Sequence, residues 1–166
     1  MSKVQSVIAY IGLGSNLENP IQQVETALQE LTELKDSSLL VQSSLYRTEP
    51  IGPQHQPSYI NAVAALITVL DAEGLLEQLQ AIELAHRRVR EGERWGPRTL
   101  DLDLLMYGRA TIDTPGLQVP HPEMANRAFV LIPLSEIAPI DMDIPGMGRL
   151  QDLLFSLSGE GVERLV

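Results

Sequence analysis

An α+β fold, with elements in the order β-α-β-β-α-β, is predicted by three observations on the sequence. Apolar residues recur at helical spacing in two separate stretches, Ile21 to Leu34 and Leu75 to Val89. Four stretches rich in alternating or β-branched residues flank them: Val4–Leu13, Leu39–Thr48, Tyr59–Leu70 and Leu100–Tyr107. Glycine and proline punctuate the joints between them. This order is that of the ferredoxin-like split βαβ motif, an antiparallel sheet with helices packed on one face. The same order serves RNA-recognition modules and small ligand-sensing domains, so the fold decides no function.

Taken in order, Val4–Leu13 reads as the first strand, and Gly12-Leu-Gly-Ser-Asn16 as a tight strand-to-helix turn. That glycine pair lacks both the Gly-Lys-Ser/Thr ending and the G-x-G-x-x-G spacing of phosphate loops. Pro20 suits a first helical turn, with Ile21, Val24, Leu28, Leu31 and Leu34 forming one apolar stripe. Leu39–Thr48 reads as one strand and Tyr59–Leu70 as another, buried on most positions. A long amphipathic helix begins near Asp71. After strand Leu100–Tyr107, residues Asn126–Ile137 read as a helix offset or kinked at Pro133, and Leu150–Leu157 as a short last helix. Glu49–Ser58 and Arg90–Arg98 interrupt the pattern as long loops. They are expected to act as substrate lids, since such loops in compact domains are usually functional or mobile.

The 166 residues read as a single domain, 1–166, large enough to bury a substantial core. There is no cysteine, which excludes disulfide and thiolate chemistry. The longest apolar run, Ala62 to Leu70, is too short for a bilayer, and the N-terminus reads as a strand rather than a signal peptide. The expected setting is cytoplasmic. A formal net charge of -10 argues against nucleic acid as a partner, because backbone phosphates would meet a repelling surface.

Within this acidic chain, five of the ten arginines fall between Arg87 and Arg98. With Glu91 and Glu93 that segment carries a local charge of +5 - 2 = +3. Guanidinium groups hold phosphate oxygens bidentately. The segment runs into Asp101 and Asp103, two apart on a predicted strand and so on one face, where they can share hard cations. The combination points to a small polyphosphate with magnesium. Each element also has a plainer reading. The aspartates could lie on a solvated strand face, and Arg87 and Arg94 could belong to an exposed helix end. Trp95, in an Arg/Gly/Pro loop, suits a lid or stacking role. Tyr59 and Phe129 could be core or could stack on a flat heterocycle. His121, held in Val119-Pro-His-Pro122 with Arg127 six residues on, could face an anion or lie on the surface; His55 and His86 read as surface.

Gly14-Ser-Asn16, Tyr46-Arg-Thr48, Gly52-Pro-Gln54, Tyr59-Ile-Asn61, Val119-Pro-His121, Asn126-Arg127 and above all Arg94-Trp-Gly-Pro-Arg-Thr-Leu-Asp-Leu-Asp103 resemble the 6-hydroxymethyl-7,8-dihydropterin pyrophosphokinase family of folate biosynthesis. The resemblance runs in order over nearly the whole chain. It implies a monomeric enzyme that transfers pyrophosphate from ATP to the pterin hydroxymethyl group and releases AMP. It also implies two magnesium ions on Asp101 and Asp103, with Arg88 and Arg98 stabilising the transferring group. Gln80, Glu83, Arg90, Trp95, Arg98, His121 and Arg127 match positions around ATP. Thr48, Tyr59, Asn61, Trp95 and Phe129 match positions around the pterin. Gly116, Gln118 and Pro122 depart from relatives that carry arginine, threonine and tyrosine near the nucleotide, and Glu49 stands where a proline may occur. A ligand sensor or an RNA-recognition domain on the same fold remains the alternative. The arginine-carboxylate cluster weighs against the first, and the acidic charge against the second.

Overall fold

A computed structural model describes residues 5–17, 19–49, 58–88 and 100–165, with Arg88 by its backbone alone. The main sheet is built from β1 (Val7–Ser15), β2 (Ser37–Gln42), β3 (Tyr46–Thr48), β4 (Tyr59–Thr68), β5 (Asp101–Tyr107) and, near the C-terminus, β10 (Val162–Arg164). Its order is β10-β3-β4-β1-β5, every pairing antiparallel, and β2 shares with β3 the edge of β4 that faces away from β1. Helix α1 (Pro20–Leu31) follows β1 and α2 (Ala72–Arg88) follows β4. This is the βαββαβ core that the sequence predicts.

The helices form where the apolar stripes lie. Pro20 opens α1, and Val24, Ala27, Leu28 and Leu31 bury one face of it. In α2 the buried positions Ala72, Leu75, Leu79, Ile82 and His86 recur at three and four residues. Asp71 caps that helix, its Oδ1 accepting the Gly74 N–H at 2.7 Å. Both stripes pack with Ala9, Ile11, Leu13, Ile60, Ala62, Ala64, Leu66, Leu102 and Leu104 into the larger core, on one face of the sheet.

The opposite face is covered in part by the C-terminal third, which was expected to supply only two helices. Before it, β6 (Ile112–Thr114) and β7 (Leu117–Val119) form a hairpin whose Leu117 and Val119 join the larger core, and a 3₁₀ turn (Met124–Asn126) leads into α3 (Ala128–Ile137). A second small hairpin, β8 (Asp143–Ile144) and β9 (Gly148–Arg149), precedes α4 (Leu150–Phe155). Val130, Leu131, Leu134 and Leu150 meet Val63, Leu105 and Met106 in a second core. Helices therefore lie on both faces. The mainly apolar α3, with Pro133 inside it, reads as buried because it is.

Two expectations change. The stretch 39–48 is two strands, because Ser43 interrupts it: its N–H donates to Val63 O (2.8 Å) while its Oγ accepts the Val63 N–H (2.9 Å). The chain then steps from the β2 register into that of β3. His86 is not a surface residue. It is 7% exposed, with Nδ1 2.5 Å from Gln23 Oε1 and Nε2 2.5 Å from Glu30 Oε1, tying α2 to α1. His55 lies outside the described residues, as do residues 50–57 of the first expected lid and all of the second, 90–98.

One polar latch joins α3 to the sheet. Glu136 accepts hydrogen bonds from Ser44 N–H (2.9 Å), Ser44 Oγ (2.8 Å) and Tyr46 OH (2.8 Å), with Arg164 at 3.8 Å. Burial pushes the Tyr46 hydroxyl up, and Glu136 pushes it further, to about 12. Burial alone would raise the Glu136 carboxyl. The bonds from Ser44 and Tyr46 and the Arg164 charge outweigh it and hold the group below its ordinary value. A depressed carboxyl contributes stability above its unfolded pKa and loses it as pH falls through the folded one. Glu136→Ala is expected to cost about 1–3 kcal/mol at neutral pH. In urea titrations that difference should shrink progressively below about pH 4.

Candidate active site

Alternation along the strands builds the site. In β1 the larger core takes Ala9, Ile11 and Leu13, so Gly12 and Gly14 face the other side. The register sets Gly14 between Asn61 of β4 and Asp101 of β5, and pairs Gly12 with Asp103. Tyr59, next along the same face of β4, pairs with Thr48 of β3. The sheet therefore presents Thr48, Tyr59, Asn61, Asp101 and Asp103 around a floor of two glycines.

The glycines have a steric reason. A Cβ on Gly14 would stand 3.0 Å from Asn61 Nδ2, so the Asn61 amide needs that space. Gly14→Ala is expected to displace Asn61 and to raise the KM for any ligand that Asn61 reads by about tenfold, the cost of one weakened hydrogen bond. Steady-state kinetics checks it; an unchanged KM would refute the role of the glycine.

Two cavities border Asp103, one on this face and one along the β5 strand beside α2. The smaller, about 410 Å³, is lined by Thr48, Glu49, Tyr59, Asn61, Asp101, Asp103, Arg127 and Phe129 together with the β1 glycines. The larger, about 590 Å³, lies between β5 and the β6–β7 hairpin and includes Leu76, Asp103, Gln118 and His121. Asp103 belongs to both. It makes no hydrogen bond or ion pair among the described residues, although it is only partly exposed.

Several buried polar atoms lack partners among the described residues: Thr48 Oγ1, Asn61 Oδ1 and both amide atoms of Asn16, which is 1% exposed. Native interiors seldom leave such groups unpaired. Thr48 and Asn61 both border the smaller cavity, where a ligand with polar edges would satisfy them.

A β-bulge shapes the floor of the larger cavity. Tyr10 pairs with Met106 but Ile11 with Leu104, so Leu105 is an extra residue in β5. Its carbonyl accepts the His121 N–H at 2.9 Å, which fixes that histidine beside the strand. His121 Nδ1 in turn accepts the Glu123 N–H at 3.2 Å, which leaves Nε2 as the nitrogen available to a ligand. Val119–Pro120, just before it, is a cis peptide bond.

The remaining expected residues divide. Arg127 borders the smaller cavity rather than the larger, with its guanidinium 5.6 Å from the Phe129 ring centre. Glu83 Oε2 accepts the Leu102 N–H at 2.8 Å, tying α2 to β5 between the two aspartates. Gln80 is exposed on α2, and of that helix only Leu76 is among the cavity-lining residues. Arg90, Trp95 and Arg98 lie outside the described residues, as does the side chain of Arg88. No group of three or more metal-ligating side chains occurs among the described residues. Sequence reasoning missed Asn16, taken as part of a turn because β1 runs two residues further than expected, and Asp113 of the hairpin, which had no motif.

The arrangement is an α+β domain with a two-lobed acidic cleft. A profile of the 7,8-dihydro-6-hydroxymethylpterin-pyrophosphokinase (HPPK) family matches residues 10–139. The chain is 49% identical over 156 residues to the 2-amino-4-hydroxy-6-hydroxymethyldihydropteridine pyrophosphokinase of Pseudomonas aeruginosa, covering 94% of this chain and 95% of that one. It is 46% identical to the enzyme of the same name from Haemophilus influenzae, covering 89% and 91%. Among solved structures, Plasmodium falciparum HPPK-DHPS shares the fold with a TM-score of 0.72 at 16% identity, covering 96% of this chain and 49% of that one. The chain thus spans about half the length of that protein. It belongs to the 7,8-dihydro-6-hydroxymethylpterin-pyrophosphokinase family.

Proposed function

We propose that this chain is the ATP-dependent diphosphotransferase of folate synthesis, moving pyrophosphate from ATP to the hydroxymethyl group of 6-hydroxymethyl-7,8-dihydropterin and releasing AMP. Family membership supports the reaction. The observation that carries the site is Asp103, a wall common to two cavities. A transfer between two substrates needs their reacting ends to meet, and this carboxylate stands where the two lobes join.

In this reading the pterin occupies the smaller lobe. Tyr59 and Phe129 stack on its rings, while Thr48 and Asn61 give their unpartnered oxygens to its polar edge. ATP occupies the larger lobe, with His121 Nε2 facing its phosphates. Arg127 sits at the border of the lobes beside Phe129, where its charge suits a phosphate oxygen. Gln80 and Glu83 of α2 and Arg90, Trp95 and Arg98 complete the nucleotide side, with Trp95 also closing over the pterin. Arg88 and Arg98 hold the transferring group. Loop residues 49–58 and 90–98 act as lids that exclude water, a competing acceptor.

Asp101 and Asp103 fit two magnesium ions by chemistry. Both are hard oxygen donors, they share a strand face, and they open on the cleft. When bound, magnesium would neutralise phosphate charge and sharpen the attacking hydroxyl. The chain is proposed to act as a single-domain, cytoplasmic monomer without nucleic-acid or membrane partners. Among the described residues no helix is long and apolar enough to cross a membrane.

The test is nucleotide analysis after incubation with ATP, magnesium and the pterin. Stoichiometric, pterin-dependent AMP with pterin diphosphate is expected. ADP would mean transfer of a single phosphoryl group, and no turnover despite binding of both ligands would leave a sensor.

A further inference from the structure

The larger cavity has an unusual lining for a site that receives ATP. Among its described residues there is no arginine or lysine. Leu76, Leu102, Leu104 and Leu117 give it apolar walls, and two carboxylates, Asp103 and Asp113, carry its negative charge. Asp103 also lines the smaller lobe, where a bound magnesium ion would offset its charge. Asp113 lies on the β6–β7 hairpin and has no such compensation.

Asp113 and Gln118 are both exposed, and one hydrogen bond links them. Asp113 pairs directly with Gln118 across the hairpin, and Gln118 Nε2 donates to Asp113 Oδ1 at 3.2 Å. One carboxylate oxygen is thereby engaged, and Oδ2 has no partner among the described residues. Gly116, with φ +85, closes the turn between the strands, and a Cβ there would meet nothing within 4 Å, so this rim is open.

A bare carboxylate repels phosphate, so this end of the cavity must receive an uncharged part of the nucleotide. The uncharged part best matched to a carboxylate is one that presents adjacent donors. A ribose does so with its 2′- and 3′-hydroxyls, and an acidic side chain accepting from a ribose hydroxyl is a recurrent solution in nucleotide sites. We infer that Asp113, held by Gln118, reads the ribose diol of the nucleotide and makes the chain selective for ribonucleotides over deoxyribonucleotides. The inference rests on the larger lobe taking ATP. It assigns work to the β6–β7 hairpin.

The experiment compares ATP, 2′-deoxyATP and 3′-deoxyATP, in turnover and by calorimetric binding without pterin, for the wild-type chain, Asp113→Ala and Asp113→Asn. The wild type should prefer ATP over either deoxy analogue by roughly tenfold or more, the scale of one charge-assisted hydrogen bond. Asp113→Ala should weaken ATP and bring the three nucleotides close together, and Asp113→Asn should lie between. KM for the pterin is the internal control and should not follow the nucleotide series. Equal affinities in the wild type, or a preference that survives in Asp113→Ala, would overturn the inference. Discrimination in binding without any AMP release would instead remove the proposed reaction and keep the ribose contact.

Discussion

Asp103→Ala and Asp101→Ala are each expected to lower pterin-dependent AMP release by about 10²–10⁴-fold, the several kcal/mol that a bound cation contributes to charge stabilisation. The effect should fall on kcat and on the magnesium dependence together. The Asp103 variant should also unfold at equal or higher urea concentration than the wild type when magnesium is absent. Asp101 and Asp103 share one partly buried strand face, and removing Asp103 relieves the repulsion between two like charges. An active variant with unchanged magnesium dependence would refute the metal assignment. A merely structural role for these residues predicts the opposite stability change, since alanine would then lose contacts.

Arg98→Ala is the second large effect, expected at about 10²–10³ in kcat, by analogy with the loss of one preorganised donor to developing charge. Because the guanidinium is assigned to the transferring group, nucleotide KM should change far less than kcat. Arg98→Lys should recover only part of the rate, since a point charge cannot reproduce a bidentate fork. Full turnover by Arg98→Ala would remove the residue from the reaction. The measurement is single-turnover AMP formation, which separates chemistry from product release.

The parts of the fold that the sequence made legible are those in which local pattern and tertiary burial agree. Val24, Leu28 and Leu31 in α1 and Leu75, Leu79 and Ile82 in α2 recur at helical spacing, and they are the residues that meet the larger core. Leu102 and Leu104 alternate with Asp101 and Asp103, and the strand has one apolar and one acidic face. Where the pattern misled, a long-range contact had overridden it. Ser43 reads as an ordinary strand residue, but its hydroxyl takes the N–H of Val63, twenty positions away, and breaks the strand in two. His86 has no local partner pattern because its partners, Gln23 and Glu30, belong to another helix. Short strands such as β6, β7 and β10 carry too few residues for a period to emerge, and each exists through its pairing.

The site was legible to a similar depth. Thr48, Tyr59, Asn61, Asp101, Asp103, Arg127 and Phe129 converge on one cavity, although they come from four separate elements and the turn before α3. Their motifs were visible, but not the reason that glycine alternates between them in β1. That reason is the approach of the Asn61 amide, a distance that no sequence pattern encodes.

The extra residue at Leu105 has a consequence for how this chain can tolerate change. A strand's side chains alternate strictly, so one residue more or less exchanges its two faces. With Leu105 in place, Tyr107 and Leu104 reach the same side of the sheet as α1 and α2, while Asp101 and Asp103 reach the other. The bulge absorbs that one residue: Leu105 and Met106 lie side by side in the second core, and Leu104 and Tyr107 flank them in the larger one. Deleting Leu105 would therefore leave Met106 opposite Tyr10 and Tyr107 opposite Ala9, with no face exchanged. What it would remove is a fully buried leucine and the carbonyl that holds the His121 N–H. At this one position the strand tolerates a shorter chain in register, and the loss falls on the wall beside it.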